Sequence, residues 1–177
     1  MNVAVIGTGR VGIAVGGALA EAGKTVVFGS RSPGEEVEVA DGTAVRVTGV
    51  RDAIAGADVV VVAVPGGAVA NLARQHGAAL VGKLVVDATN NVGGGGPAHG
   101  AAAFSEHAPG ARYARAFNSL GWENFAEPDF HGVRADLFFS SAPGDRAAIE
   151  ELIGAVGLRP IYLGPGQQDT LDGVLRL

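Results

Sequence analysis

Apolar and polar positions along the chain fall into short β-branched runs separated by stretches with helical spacing, and the two kinds alternate from end to end. Residues 2–6 (NVAVI) form the first strand-like run. Residues 10–22 are rich in Ala, Val, Ile and Leu and close at Gly23, as a helix with a glycine stop does. Residues 25–28 (TVVF) are the second strand, and residues 43–48 a weaker, polar-interrupted one expected at a sheet edge. Residues 51–56 predict a short helix, and residues 58–65 (DVVVVAVP) the uninterrupted run of a central parallel strand, stopped by Pro65. A helix over 67–76, a strand over 84–90, a Gly-rich loop over 91–96 and a helix over 98–108 follow. Strands over 112–117, 136–140 and 160–163, a helix over 146–156 and an amphipathic helix over 169–177 complete the series. This alternation predicts an α/β, Rossmann-like doubly wound architecture: a mostly parallel sheet with helices on both faces.

The junction between the first strand and the first helix reads GTGRVG, with glycines at Gly7, Gly9 and Gly12. In a strand–turn–helix context Gly7 permits the tight turn, Gly9 lets the backbone approach a pyrophosphate, and Gly12 lets the helix pack on the strand. The helix N-terminus then offers free N–H groups and a positive dipole end to the phosphates. The end of the second strand sits near the adenosine ribose, where NAD sites carry an Asp or Glu about 20 residues past the fingerprint. This chain has Gly29-Ser30-Arg31-Ser32 instead. A hydroxyl and a permanently charged fork suit a 2′-phosphate, so the expected cofactor is NADP. Glu35 and Glu36 follow closely and are expected to point away from that phosphate.

Composition narrows the partners. Thirteen basic and 18 acidic residues give a net charge of −5, which argues against nucleic-acid or anionic-membrane binding. There is no cysteine, so disulfides, thiol catalysis and thiolate metal sites are excluded. No apolar run approaches the ~20 residues that span a bilayer, and the N-terminus reads as strand rather than signal peptide; a cytoplasmic protein is expected. At 177 residues, with no repeat or long linker, the chain reads as one NAD(P)-binding domain over 1–177 with a small C-terminal extension at about 159–177.

Ligands in open α/β sheets sit beyond the carboxyl edge of the strands. Three segments are expected to converge there: Val64-Pro65-Gly66, Asp87-Ala88-Thr89-Asn90 and Ala116-Phe117-Asn118-Ser119. None offers a nucleophile with a base. The histidines, His76, His99, His107 and His131, show no metal-ligand spacing and read as surface residues. Asp87 reads either as a general base or as a group that caps and orients the adjoining loop. A site without an evident acid and base suits direct hydride transfer between two bound redox molecules, where positioning supplies most of the effect.

VAVIGTGRVG, the GSR after the second strand, VVVVAVP, VVDATN and RAFNSLGWENF, in this order, resemble the NADPH-dependent reductases of the 8-hydroxy-5-deazaflavin coenzyme F-420. The resemblance covers nearly the whole chain. It implies NADP in the fingerprint groove and a deazaflavin as small-molecule co-substrate at the carboxyl edge, with no residue acting as obligatory acid or base. Residue by residue, it implies that Thr8, Gly9, Arg10 and Val11 carry the pyrophosphate loop and that Ser30 and Arg31 hold the 2′-phosphate. Val64, Pro65, Ala88, Thr89 and Asn90 line the nicotinamide and its ribose on the same reading, and Phe117 and Asn118 border the second cofactor. The chain departs from the family at Glu35 and Glu36, where members often carry a lysine, and at Asn90-Asn91 with GGGG, where Asn-Pro is usual. Two alternatives stay open: a different acceptor (a flavin, a metal chelate or a carbonyl compound, for which Tyr113, Tyr162 and Asp87 are candidate proton donors), or a non-catalytic NADP-binding protein. The apolar face of residues 169–177 suggests a homodimer.

Overall fold

The computed structural model describes the chain except for residues 35, 40, 41, 43, 92–97 and 175–177. The Gly-rich loop, Glu35, the first residue of the strand expected at 43–48 and the last turn of the expected C-terminal helix therefore lie wholly or largely outside the described residues. The elements run β1 (Asn2–Ile6), α1 (Arg10–Glu21), β2 (Thr25–Ser30), β3 (Glu36–Glu38), β4 (Ala44–Gly49), α2 (Val50–Ala55), β5 (Val59–Val62), α3 (Val69–His76) and β6 (Leu84–Asp87). They continue through α4 (Ala101–His107), β7 (Arg112–Arg115), α5 (Glu123–Ala126), β8 (Asp129–Phe130), β9 (Val133–Arg134), β10 (Asp136–Ser141), α6 (Arg146–Ala155), β11 (Arg159–Tyr162) and α7 (Gln168–Val174).

Nine strands form one sheet in the order β11-β10-β7-β6-β5-β1-β2-β4-β3. From β4 to β7 every pairing is parallel, with Val3 opposite both Val26 and Val59. β10 runs antiparallel to β7, and β11 pairs parallel with β10, so the sheet is mostly parallel, as the alternation of elements requires. Residues 44–49 do not form the edge. β3, which lacks a clear apolar run, pairs antiparallel outside β4 and takes that place.

Period-two alternation explains why the strands read as solid apolar runs. Val3, Val5, Val59, Val61, Leu84 and Val86 face one core with Val15, Leu19, Ile149 and Leu152 of α1 and α6. Ala4, Ile6, Val60, Val62 and Val85 face the other, with Ile54, Val69, Leu72 and Phe104 of α2, α3 and α4. A sheet covered by helices on both faces leaves no polar side for its central strands.

β8 and β9 form a separate hairpin, closed by His131 and Gly132, both at positive φ (54° and 88°), the backbone of a two-residue hairpin turn whose twist matches its strands. No described helix is long and apolar enough to cross a membrane.

Candidate functional site

The turn from β1 into α1 shows that the three fingerprint glycines answer to different demands. Gly7 has φ +117°, and a Cβ there would lie 2.3 Å from the Ala63 carbonyl oxygen. At Gly12 a Cβ would lie 2.2 Å from the oxygen of Gly7. Both glycines are required by the fold itself. Gly9, the N-cap of α1, has nothing within 4 Å of where a Cβ would stand. Packing therefore does not require glycine at that position, and the space beside it is available to a ligand. No side chain caps α1 and no acid sits in its first turn, so its first N–H groups and positive dipole end have no anionic side chain of their own.

A cavity of about 370 Å³ opens at this turn, in the crevice between the carboxyl ends of β1 and β5, where the sheet's winding reverses direction and ligands bind in such folds. It is lined by Ile6–Gly9, Gly29–Arg31 and Ala63–Pro65. The expected residues Gly7, Thr8, Gly9, Ser30, Arg31, Val64 and Pro65 are thus brought together. The far wall was not anticipated: Val50 with Ala68, Asn71, Leu72, Gln75 and His76 on and before α3. Sequence gave only a helical spacing there, not which face turns to a ligand. Among the described residues no Asp or Glu lines the cavity. Glu36 stands in β3 opposite Arg46, away from it.

Arg10, Val11 and Gly12 do not line the cavity with side chains. The Arg10 guanidinium lies 5.7 Å over the Trp122 ring, in a second groove between α1 and α5, and Val11 packs on the core of that face. Their contribution at the turn is backbone.

The three strand-end segments do converge. A Cβ on Gly66 would stand 2.7 Å from the Cα of Asn91, and the Asn90 side-chain amide donates to the Asn118 carbonyl at 2.9 Å. Beneath them is a buried polar network. Asp87, fully buried, accepts from Thr89 N (2.9 Å), Thr89 Oγ1 (2.6 Å), Gly100 N (2.6 Å) and the Tyr113 hydroxyl (2.7 Å). Burial and the Asp87 charge push the Tyr113 phenol well above its ordinary pKa. Asp87 is therefore placed as the group that orients the 87–90 and 98–100 backbone.

Sequence reasoning missed the centre of this network, Arg115, whose side chain is 0% exposed. It donates to the carbonyls of Asp87 (3.2 Å) and Thr89 (2.5 Å), to Asn90 Oδ1 (3.1 Å), and through Nε and Nη2 to Asp172 of α7 (3.1 and 2.6 Å). Its Nη1 also stands 3.3 Å from Asp87 Oδ1. The available signal was an arginine at the end of a central strand otherwise bound for the core, since arginine is almost never fully buried without partners. Next to this network Phe117, buried edge-on against Phe125 at 5.7 Å, has φ 61°, and Asn118 is fully buried. Ala88 and Thr89 are buried as well, while Asn90 is half-buried. None of these five residues lines the cavity; they form the adjoining floor of the sheet edge.

His99 Nε2 lies 3.3 Å from Asp169 Oδ1, with Asp172 nearby. Asp172 is already committed to Arg115, and Asp169 is exposed.

A doubly wound sheet, a fingerprint turn open to ligand and a cavity at the switch point define a Rossmann-like protein of the dinucleotide-binding class. Residues 2–91 match the family described as NADP oxidoreductase, coenzyme F420-dependent. The chain belongs to that family. Its fold is similar to that of a protein from Arthrobacter sp. FB24, provisionally described as an F420-dependent NADP-reductase, at 26% identity and a TM-score of 0.81, over 99% of this chain and 89% of that one. It is also similar in fold to an imine reductase from Bacillus cereus BAG3X2 (20% identity, TM-score 0.75, 99% of this chain and 58% of that one). A reductive aminase from Aspergillus terreus, described in complex with NADPH and ethyl levulinate, shares the fold too (21% identity, TM-score 0.72, 99% and 59%). No curated protein matches the chain.

Proposed function

We propose that the chain passes hydride between NADPH and a deazaflavin coenzyme of the F-420 type. The observation that carries this reading is the commitment of the three groups singled out as candidate proton donors, Tyr113, Asp87 and Tyr162. Tyr113 donates to Asp87, Asp87 accepts from four donors, and the Tyr162 hydroxyl donates to the Ser141 carbonyl at 3.0 Å. A transfer that needs positioning but no side-chain proton fits such a site, whereas reduction of a carbonyl or imine needs a proton as well as a hydride.

The residues present fit a dinucleotide. The space beside Gly9 and the uncapped start of α1 suit a pyrophosphate, and Ser30 and Arg31, in a cavity lined by no Asp or Glu among the described residues, suit a 2′-phosphate. When bound, the reduced nucleotide would supply the hydride from its dihydronicotinamide ring. The role of the chain is to hold and orient: Val64 and Pro65 border the nicotinamide side, and Thr89 and Asn90, fixed by Arg115, together with Phe117 and Asn118, present a rigid edge to the second cofactor. On this reading residues 1–177 act as one NAD(P)-binding domain.

The test is anaerobic mixing of protein, NADPH and the oxidised deazaflavin coenzyme, followed by its visible absorbance. Bleaching at catalytic turnover is expected. Binding of NADPH without bleaching would move the acceptor to another class or leave a binding role alone.

A further inference from the structure

We propose that His76 and Arg51 complete the phosphate end of the cavity together with Arg31, so that the chain grips the 2′-phosphate of NADP(H) from three elements and takes up a proton at His76 as it does so. The proposal rests on reading the cavity as an NADP site. Neither residue belongs to the fingerprint or to the GSR turn.

The geometry brings them to one place. Arg31 follows β2, and His76 is the last residue of α3, yet both line the same cavity. Parallel pairing sets Ser30 opposite Gly49, which places the start of α2 beside the GSR turn. Val50 lines the cavity, and Arg51 follows it. The charge of Arg51 is felt at the His76 ring: burial, and then that charge, hold the His76 pKa below its ordinary value.

The other charged groups on the packed elements do not line the cavity. Asp52 of α2 lies against Gly49, with Oδ2 3.5 Å from where a Cβ would stand. On α4, which packs against α3, Glu106 and His107 stand 3.8 Å apart as a pair. Arg74 of α3 is exposed and cationic. His76 is thus a half-buried imidazole within the field of an arginine, on the wall of a cavity that presents no carboxylate among its described residues.

Such surroundings favour the neutral form of the ring when no ligand is bound. A dianion placed between it and the two arginines reverses the local field and raises its pKa, so binding draws in a proton. The sign follows directly. With the free pKa low and the bound pKa higher, NADPH affinity gains as pH falls through the bound value and is unaffected well above it. Protonation of the 2′-phosphate itself, with a second pKa of about 6, works in the opposite sense. It is common to wild type and variants, so their ratio isolates His76.

The experiment is a set of NADPH and NADH dissociation constants at about pH 6 and about pH 8.5. Proteins compared are wild type, His76→Gln, Arg51→Gln and Arg31→Ala, with calorimetry in two buffers of different ionisation enthalpy to count protons. His76→Gln is expected to weaken NADPH about tenfold at the lower pH, to leave it unchanged at the higher, and to reduce proton uptake on NADPH binding. Arg51→Gln is expected to weaken NADPH at both. NADH should bind every variant as it binds wild type, which also verifies that each is folded. Unaltered proton uptake in His76→Gln, or equal losses for both nucleotides, would overturn the proposal. If Arg31→Ala narrows the preference for NADPH and the His76 and Arg51 variants do not, this inference falls and the NADP reading stands. If Arg31→Ala changes nothing, both fall.

Discussion

Gly7, Gly9 and Gly12 share a motif but not a physical reason. Gly7 and Gly12 are fixed by contacts of 2.3 and 2.2 Å that any Cβ would make with backbone oxygen, so alanine at either disrupts the turn. Gly9 has open space beside it and an extended conformation that any residue adopts (φ −81°, ψ 177°). Gly9→Val should therefore fold with an unchanged melting temperature and yet bind neither NADPH nor NADH, checked by thermal unfolding alongside nucleotide fluorescence; retained binding would reduce the fingerprint to a turn. Arg31→Ala should weaken NADPH by the worth of one charge-assisted contact, about 1.5–3 kcal/mol, and leave NADH unaltered. Equal loss for both nucleotides would sink the 2′-phosphate assignment. The glycines and the GSR turn were legible because their roles follow from local chain geometry. His76, Arg115 and Asp172 were not, because each acquires its role only when elements distant in sequence meet.

Among the elements, the central parallel strands announced themselves through β-branched runs, whereas β3 and the β8–β9 hairpin did not. Both are short, and their residues are mostly exposed, so they leave no hydrophobic pattern to read. α7 was legible as amphipathic, but its apolar side is at least partly met within the chain, where Leu171 is fully buried and α7 packs on β10. The stronger tie is polar: Asp172 joins α7 to Arg115 at the end of β7. Arg115→Met should cost about 3–5 kcal/mol in denaturant unfolding, because it leaves Asp172 and Asp87 buried without their counter-charge. The pair Arg115→Met with Asp172→Leu should recover part of that loss. Additive losses would show that the two side chains are not coupled.

Across the molecule, the cavity and the buried network share the carboxyl edge of the one sheet whose two faces carry the cores, so nucleotide binding and global stability are linked. NADPH at about 100 times its dissociation constant should stabilise the fold by about 2.7 kcal/mol, which for a domain of this size raises the melting temperature by roughly 5–11 °C. The Gly9→Val protein should show no such shift, and a shift there would disconnect stabilisation from the fingerprint. The architecture at this scale was readable because strand and helix alternation permits few topologies. The reversal of β10 was not, since nothing in an apolar run states its direction.

The exposed hairpin has a consequence in time rather than in space. A lone two-stranded ribbon is marginal in water, and Phe130 and Val133, exposed at 54% and 67%, add little burial to hold it. Its amides should exchange with solvent in rapid local openings, while those of β5 and β6, buried on both faces, should wait for unfolding of the whole domain. The same chain thus keeps two clocks, and the slow one runs beneath the fingerprint turn.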